Sequence, residues 1–364
     1  MNMAQIKNIL GLNLARTNVI LRVDFNCPIE KDQVLDSFRI DQTLKTFAYL
    51  LNAGVNKIVV ITHLGRPQGA YDLNYSIKPV VNYFKQSIHK IGFPDQVELI
   101  DYQESIQENL SQAQASTSRI VFLENIRFWK QEKQPSLEFA KLIANLGFVF
   151  INDAFGASHR NHVSVATLGH YLPAYAGLLV KQEIDQIQYI LENPERPALA
   201  IVGGAKLETK IPVLKLLVRK YDQVLVGGLI AVEIQKNPAK LKQELNASQI
   251  KKIILPQGYS DQSQKDIDSE TIQLFCDYIE KAKTILWNGP MGKFEEKPYD
   301  QGSLTVAKAV AQSKAYKIAG GGETNDLLDQ AQVFQQMDFV STGGGAMLEY
   351  ISGSKLPGLE ILKK

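Results

Sequence analysis

The chain has 364 residues, 45% hydrophobic and 21% charged, with a formal net charge of +2, which favours two domains over one and excludes a general basic field for bulk nucleic acid or a membrane surface. No run approaches the ~20 apolar residues of a membrane span, and the opening MNMAQIKNILGLNLARTN lacks the apolar core of a signal peptide. Cys27 and Cys276 have neither metal nor redox spacing, so reduced thiols in a cytoplasmic protein are expected.

Short apolar runs alternate with amphipathic helical stretches along the chain, the pattern of parallel strands covered by helices on both faces. The expected class is α/β, with two doubly wound parallel-sheet domains. The first strands should begin near Val19, Lys57, Val97, Arg119 and Phe148. VILRV runs into Asp24 and Asn26, KIVVIT into His63 and Arg66, RIVFLEN into Arg127, and FVFIND into His159, Arg160 and His162. Next comes LPAYAGLLVKQEIDQIQYILENPERP, where Leu179, Ile184, Ile187 and Leu191 recur at helical spacing between Pro173 and Asn193 with Pro194. This spacing predicts one long helix joining two domains, the boundary falling at 172–195. A second strand series should begin near Ala198, Gln223, Ile253, Thr284, Tyr316 and Phe339. Its runs end at glycine instead: Gly203 and Gly204, Gly227 and Gly228, Gly289 and Gly292, Gly322, and Gly345. The stretch from Ile234 to Ser269 is polar and irregular.

Ligands of open α/β sheets bind beyond the carboxyl ends of the strands. One half therefore offers arginine forks for a small polyanion, and the other offers bare backbone and helix N-termini for a phosphate chain. Taken singly, Asp24 and Asn26 also read as turn formers, while Gly65 in THLGRP permits close backbone approach to a ligand. Together, Arg39, His63, Arg66, Arg127 and Arg160 suit a small, multiply anionic substrate. GGAKLETK opens a helix carrying Lys206 and Lys210 but is neither a Walker A motif nor a dinucleotide fingerprint; alone it reads as a tight turn with surface lysines. GGGET and STGGGA repeat that architecture, and consecutive glycines are easier to understand where amides face phosphate. Glu323 either holds Mg²⁺ beside phosphate oxygens or serves the dipole of its own helix.

The segments RVDFNCP, THLGRP, LENIRF, DAFGASHR, GGAKLETK, WNGPMGKFE, GGGET and STGGGA, in this order, resemble phosphoglycerate kinase from about Val19 to Leu359. The resemblance implies a deep cleft between a glycerate-substrate domain over 1–172 and a nucleotide domain over 196–346, a hinge helix over 173–195, and a tail over 347–364 returning to the first domain. It implies a monomer that closes about its hinge. The reaction implied is reversible transfer between 1,3-bisphosphoglycerate and MgADP, giving 3-phosphoglycerate and MgATP. Asp24, Phe25, Asn26, Arg39, His63, Leu64, Gly65, Arg66, Arg127 and Arg160 would hold the glycerate substrate. Gly203, Ala205, Lys206, Lys210, Gly227, Gly228, Asn288, Pro290, Gly292, Glu295, Gly321, Gly322, Glu323 and Thr324 would hold the nucleotide, with Glu295 near the ribose and Glu323 toward the metal. Arg39, Lys206, Gly322 and Gly344 would serve the transferring phosphoryl group. The attacking carboxylate is ionised at neutral pH, which leaves alignment and charge compensation to the protein, with no covalent phosphoenzyme.

Departures from the family pattern fall on the nucleotide side. Glu323 stands where the family has Asp, Leu229 and Ile230 follow Gly228 where it has Gly-Met, and LPQGY lacks an aspartate. The stretch from Ile234 to Ser269 is also shorter than in the family. A non-catalytic binding protein on the kinase fold is the alternative reading, opposed by retention of Lys206, Lys210, Glu295 and Glu323. A nicotinamide-dependent dehydrogenase lacks its glycine fingerprint.

Overall fold

The computed structural model describes residues 6–94, 96–134 and 136–363, so the outermost residues of the domain limits above, 1–5 and 364, lie outside the described residues. Two compact units divide the chain. One runs up to Ile184 and takes in the segment from Lys355, and the other is Asp185–Ser354.

The first unit is built on β1 (Asn18–Val23), a hairpin of β2 (Ile29–Glu30) and β3 (Gln33–Val34), β4 (Lys57–Ile61), β5 (Val97–Ile100), β6 (Ile120–Leu123), β7 (Val149–Asp153) and β8 (Ala174–Ala176). Six of these form a sheet in the order β5-β6-β4-β1-β7-β8, and every pairing in it is parallel. Its central strands are mostly apolar because both faces are covered, Arg22 in β1 being a buried exception. Val19, Leu21, Val23, Ile58, Val60, Ile120 and Phe122 share one core with Phe47, Leu50, Val80 and Phe84 of the helices Phe38–Asn52 and Lys78–Lys90. The alternate residues Ile20, Val59 and Val121 are equally buried. From β1 the chain steps to β4 on one side and later to β7 on the other, so the topological switch lies beside β1.

The second unit repeats the plan with β9 (Ala198–Val202), β10 (Gln223–Val226), β11 (Ile253–Ile254), β12 (Thr284–Asn288), β13 (Tyr316–Gly320) and β14 (Phe339–Ser341). Their order is β11-β10-β9-β12-β13-β14, again all parallel, with the switch between β9 and β12. The irregular stretch after Ile234 resolves into short helices at Ala239–Glu244 and Ala247–Ile250 and a bridge between Tyr259 and Ile267.

The long joining helix is Leu178–Glu192, and the division between units falls inside it. It is shorter at its start than its apolar pattern suggests, because Ala174–Ala176 is spent on the edge strand β8 beside β7. Within the first unit, the segment from Lys355 packs back on the strand ends. Asn152 Nδ2 donates to the Gly358 carbonyl at 2.9 Å, the Gly358 N–H donates to Ser158 O at 2.9 Å, and the Lys7 N–H donates to Leu362 O at 2.8 Å. Among the described residues no helix is long and apolar enough to cross a membrane.

Candidate functional site

In the first unit the carboxyl ends of β1, β4, β6 and β7 converge. Gly65 knits three of them together: its N–H donates to Asn26 Oδ1 at 2.8 Å and its carbonyl accepts Arg127 Nη1 at 2.5 Å. It does so at φ +58, where any Cβ would strike the Tyr75 ring, so only glycine fits. Asn125, fully buried, fixes the loop from below, donating to Leu64 O at 2.8 Å and Tyr75 O at 2.9 Å. Arg39 enters from the first turn of the helix Phe38–Asn52, with Nη1 3.0 Å from Asn26 O and 3.5 Å from Asp24 Oδ2. Arg160 Nη1 stands 3.3 Å from His63 Nε2. Arg66 is exposed, and its charge lowers the pKa of Arg160 after the larger effects of burial and of Asp24, which opposes them.

His63 is 1% exposed and ringed by guanidinium groups. Burial, then Arg22, Arg160 and Arg39, hold its pKa well below the ordinary value, so the ring is neutral near pH 7. Both ring nitrogens face arginines, Arg22 Nη2 lying 3.1 Å from Nδ1. A neutral ring accepts at one nitrogen only, so His63 spaces the cations and adds no charge. The cluster is thus a surplus of guanidinium groups around Asp24, with the buried Arg127 Nε lacking a partner among the described residues. Such a set is suited to a small anion with several oxygens.

In the second unit the helices Leu207–Lys220, Gly228–Lys236, Gly322–Gln330 and Gly344–Ile351 begin directly after β9, β10, β13 and β14. Their N-cap residues Lys206, Gly227, Gly321 and Gly343 provide no side-chain cap. By contrast, Asp268 caps the helix Ser269–Lys281 through the Thr271 N–H at 2.9 Å. The helices after β9, β13 and β14 thus offer first-turn amides to an external acceptor, whereas in Gly228–Lys236 the Gly228 and Ile230 N–H groups already donate to Met291 O at 2.8 Å and Gly204 O at 3.1 Å. The glycines let these turns pack backbone against backbone: a Cβ on Gly203 would strike the Pro290 carbonyl, and one on Gly344 would strike Gly321 Cα. Asn288 joins the turns, accepting from Lys210 Nζ and donating to Gly320 O, while the Gly289 N–H donates to Thr324 Oγ1 at 2.8 Å. Burial lowers the Lys210 pKa to about 8, with Glu323 opposing.

Beside these turns a cavity of about 510 Å³ is lined by Gly204, Ala205, Gly228, Leu229, Pro290, Gly292, Glu295 and Glu323, together with Ser263, Gln264, Lys265 and Lys293. Among the described residues no three His, Cys, Asp or Glu side chains gather as a metal cage. The single exposed carboxylate of Glu323, in the first turn of its helix, still suits a magnesium ion that arrives with phosphate oxygens and keeps its waters.

The expected residues fall into these two groups, with differences of detail. The side chains of Phe25 and Leu64 are buried in the core, Phe25 against Phe84 and Phe122 at ring distances of 6.1 and 6.2 Å, so only their backbone is left for a ligand. Lys206 is exposed whereas Lys210 is tied to Asn288. Sequence reasoning missed Arg22, whose position inside an apolar run was the available signal. It also missed Ser263, Gln264 and Lys265, which lie in the irregular stretch and carried none.

The phosphoglycerate kinase family model matches residues 9–253 and 232–354. The two matches overlap over 232–253, across the start of the stretch read above as shorter than usual. A phosphoglycerate kinase of Leptospira biflexa is 36% identical over 96% of this chain and 96% of its own length. That of Finegoldia magna is 34% identical over 98% of each. Among solved structures, phosphoglycerate kinase from Coxiella burnetii superposes with a TM-score of 0.83 at 31% identity, covering 98% of this chain and 99% of that one. The Pyrococcus horikoshii enzyme gives 0.79 at 26%, covering 98% of both.

Proposed function

The chain belongs to the phosphoglycerate kinase family, and from that membership we propose that it transfers a phosphoryl group reversibly between 1,3-bisphosphoglycerate and ADP, giving 3-phosphoglycerate and ATP. The observation that carries this reading is the pairing of two unlike anion sites: an arginine cluster around Asp24 and His63 in one unit, and three uncapped helix N-termini beside a cavity in the other. The first fits a substrate bearing a carboxylate and a phosphate, whose oxygens match guanidinium forks. The second fits a polyphosphate chain.

In the ATP-consuming direction the glycerate carboxylate attacks the terminal phosphorus as ADP departs. It needs no general base, since it is already ionised. Arg39 and Lys206 supply positive charge to the transferring oxygens, and the amides near Gly322 and Gly344 supply oriented dipoles. Asp24, Asn26 and Gly65 orient the arginines; Lys210 and Asn288 orient the phosphate chain; Glu295 meets the ribose. Glu323 would hold Mg²⁺, which when bound neutralises phosphate oxygens. We read the enzyme as a cytoplasmic monomer. Its two cysteines are unpaired, as suits a reducing compartment; burial also pushes the Cys27 thiol up to about 12, which makes it unreactive. The decisive assay is ATP formation by the purified chain from enzymatically generated 1,3-bisphosphoglycerate and ADP. Binding of 3-phosphoglycerate without any ATP formation would favour the non-catalytic alternative.

A further inference from the structure

Beneath the arginine cluster lies a buried polar chain that the proposed mechanism does not use. Glu132 is fully buried in the turn Lys130–Lys133. Its Oε2 accepts the Ser164 N–H at 3.0 Å and its Oε1 accepts the Ser164 hydroxyl at 2.6 Å. The same hydroxyl oxygen accepts from Arg22 Nε at 2.9 Å. Arg22 is 1% exposed, holds the Val23 carbonyl through Nη1, and places Nη2 3.1 Å from His63 Nδ1. On the other side of that ring, Arg160 Nη1 lies 3.3 Å from Nε2. The contacts therefore run Glu132, Ser164, Arg22, His63, Arg160, from a carboxylate with no solvent access to a half-buried guanidinium in the anion site; the neutral ring accepts from one of the two arginines and only packs against the other.

Resting on the glycerate-binding role proposed for His63 and Arg160, we propose that Glu132, Ser164 and Arg22 are positioning residues for that substrate. They fix the His63 ring, and through it the Arg160 guanidinium, in one orientation. A buried guanidinium is tolerated when a carboxylate and hydrogen bonds compensate it, and the charged groups facing Glu132 are few. Arg22 comes from β1, His162 comes from the segment after β7 with Nδ1 3.8 Å away, and Lys133 comes from the same turn. Burial raises the Glu132 carboxyl to about 7, and Arg22 and the Ser164 bonds oppose that rise. Both oxygens accept from Ser164 donors, a pattern that favours the ionised form. Glutamine at this position would remove the charge that compensates Arg22 and force the Ser164 hydroxyl to turn from donor to acceptor, at nearly unchanged volume.

The test is steady-state kinetics of Glu132→Gln. The KM for 3-phosphoglycerate should rise about tenfold, the scale of one disrupted hydrogen bond to a charged group, while kcat and the KM for ATP stay within about twofold. In an Arg160→Ala background the same substitution should add less than about twofold, since the group it positions is gone. In an Arg66→Ala background, where the removed guanidinium is exposed and outside the chain of contacts, the tenfold effect should persist. Ser164→Ala removes the hydroxyl shared by Arg22 and Glu132 and should reproduce the pattern; it carries the test if circular dichroism shows the Gln variant unfolded. An unchanged KM for 3-phosphoglycerate, an equal rise for ATP, or full multiplication in the Arg160→Ala background overturns the proposal. A wild-type chain without transferase activity would instead refute the functional reading on which it rests.

Discussion

Replacing Arg39 by alanine separates catalytic from structural roles in the anion site. Its side chain is 29% exposed and touches the fold through the Asn26 carbonyl at 3.0 Å and Asp24 at 3.5 Å. A partly exposed ion pair of that length contributes at most ~1 kcal/mol to folding, which for a domain of this size shifts Tm by about 2–4 °C. If the guanidinium stabilises charge on the transferring phosphoryl group, its removal should cost about 3–4 kcal/mol in the transition state, or roughly 10²–10³ in kcat. Nucleotide affinity should hold, because Arg39 belongs to the other unit. Coupled turnover assays, calorimetric titration with ADP and a thermal melt together decide the matter. Near-normal turnover would remove Arg39 from the mechanism, and a loss of activity matched by loss of folded protein would make its role structural.

Glu323→Gln keeps size and hydrogen bonding while removing charge; the Mg²⁺ concentration for half-maximal turnover should rise several-fold, and an unchanged value would leave Glu323 serving only its helix dipole. Lys210 loses its charge as pH rises through about 8 in the free protein, because burial disfavours the ammonium. About a unit or more below that pH its charge is fully available to a phosphate chain, so ADP affinity should fall by up to about tenfold per unit above it, and Lys210→Arg should flatten the dependence. A flat wild-type profile would argue against contact between Lys210 and phosphate. Asn125→Ala would strip the Leu64 and Tyr75 carbonyls and the Arg127 N–H, at 3.2 Å from Oδ1, of a buried partner. The expected loss is about 2–4 kcal/mol in urea unfolding, and less than ~1 kcal/mol would show that the loop satisfies itself otherwise.

The long parallel strands were legible because burial on both faces writes them as near-continuous apolar runs. Thr284–Asn288 and Lys57–Ile61 begin where those runs begin. The short edge strands at Ile253 and Phe339 were legible too, but two other short elements were not. Ala174–Ala176 shares its apolar letters with the helix that follows. The hairpin Ile29–Glu30 with Gln33–Val34 turns through Lys31 and Asp32 at φ 48 and 59, without the Asn-Gly pair that would have announced it. In the site, side chains that end strands were readable, since a sheet edge collects them. Arg22 was not, because its meaning depends on Ser164, 142 residues away, and periodicity carries no information about such partners. Lys265 was hidden differently: it lines the cavity from an irregular segment where neither period nor motif applies.

The division of the chain has a consequence for its synthesis. Asp185–Ser354 is uninterrupted, whereas the unit holding the arginine cluster is completed by the segment from Lys355. A ribosome therefore finishes the whole second unit before it makes Gly358, whose carbonyl receives Asn152 and whose N–H bonds to Ser158, two residues before Arg160. Until then the loop that presents Arg160 lacks one of its supports, so the anion site is completed only once the segment from Lys355 has been made and docks.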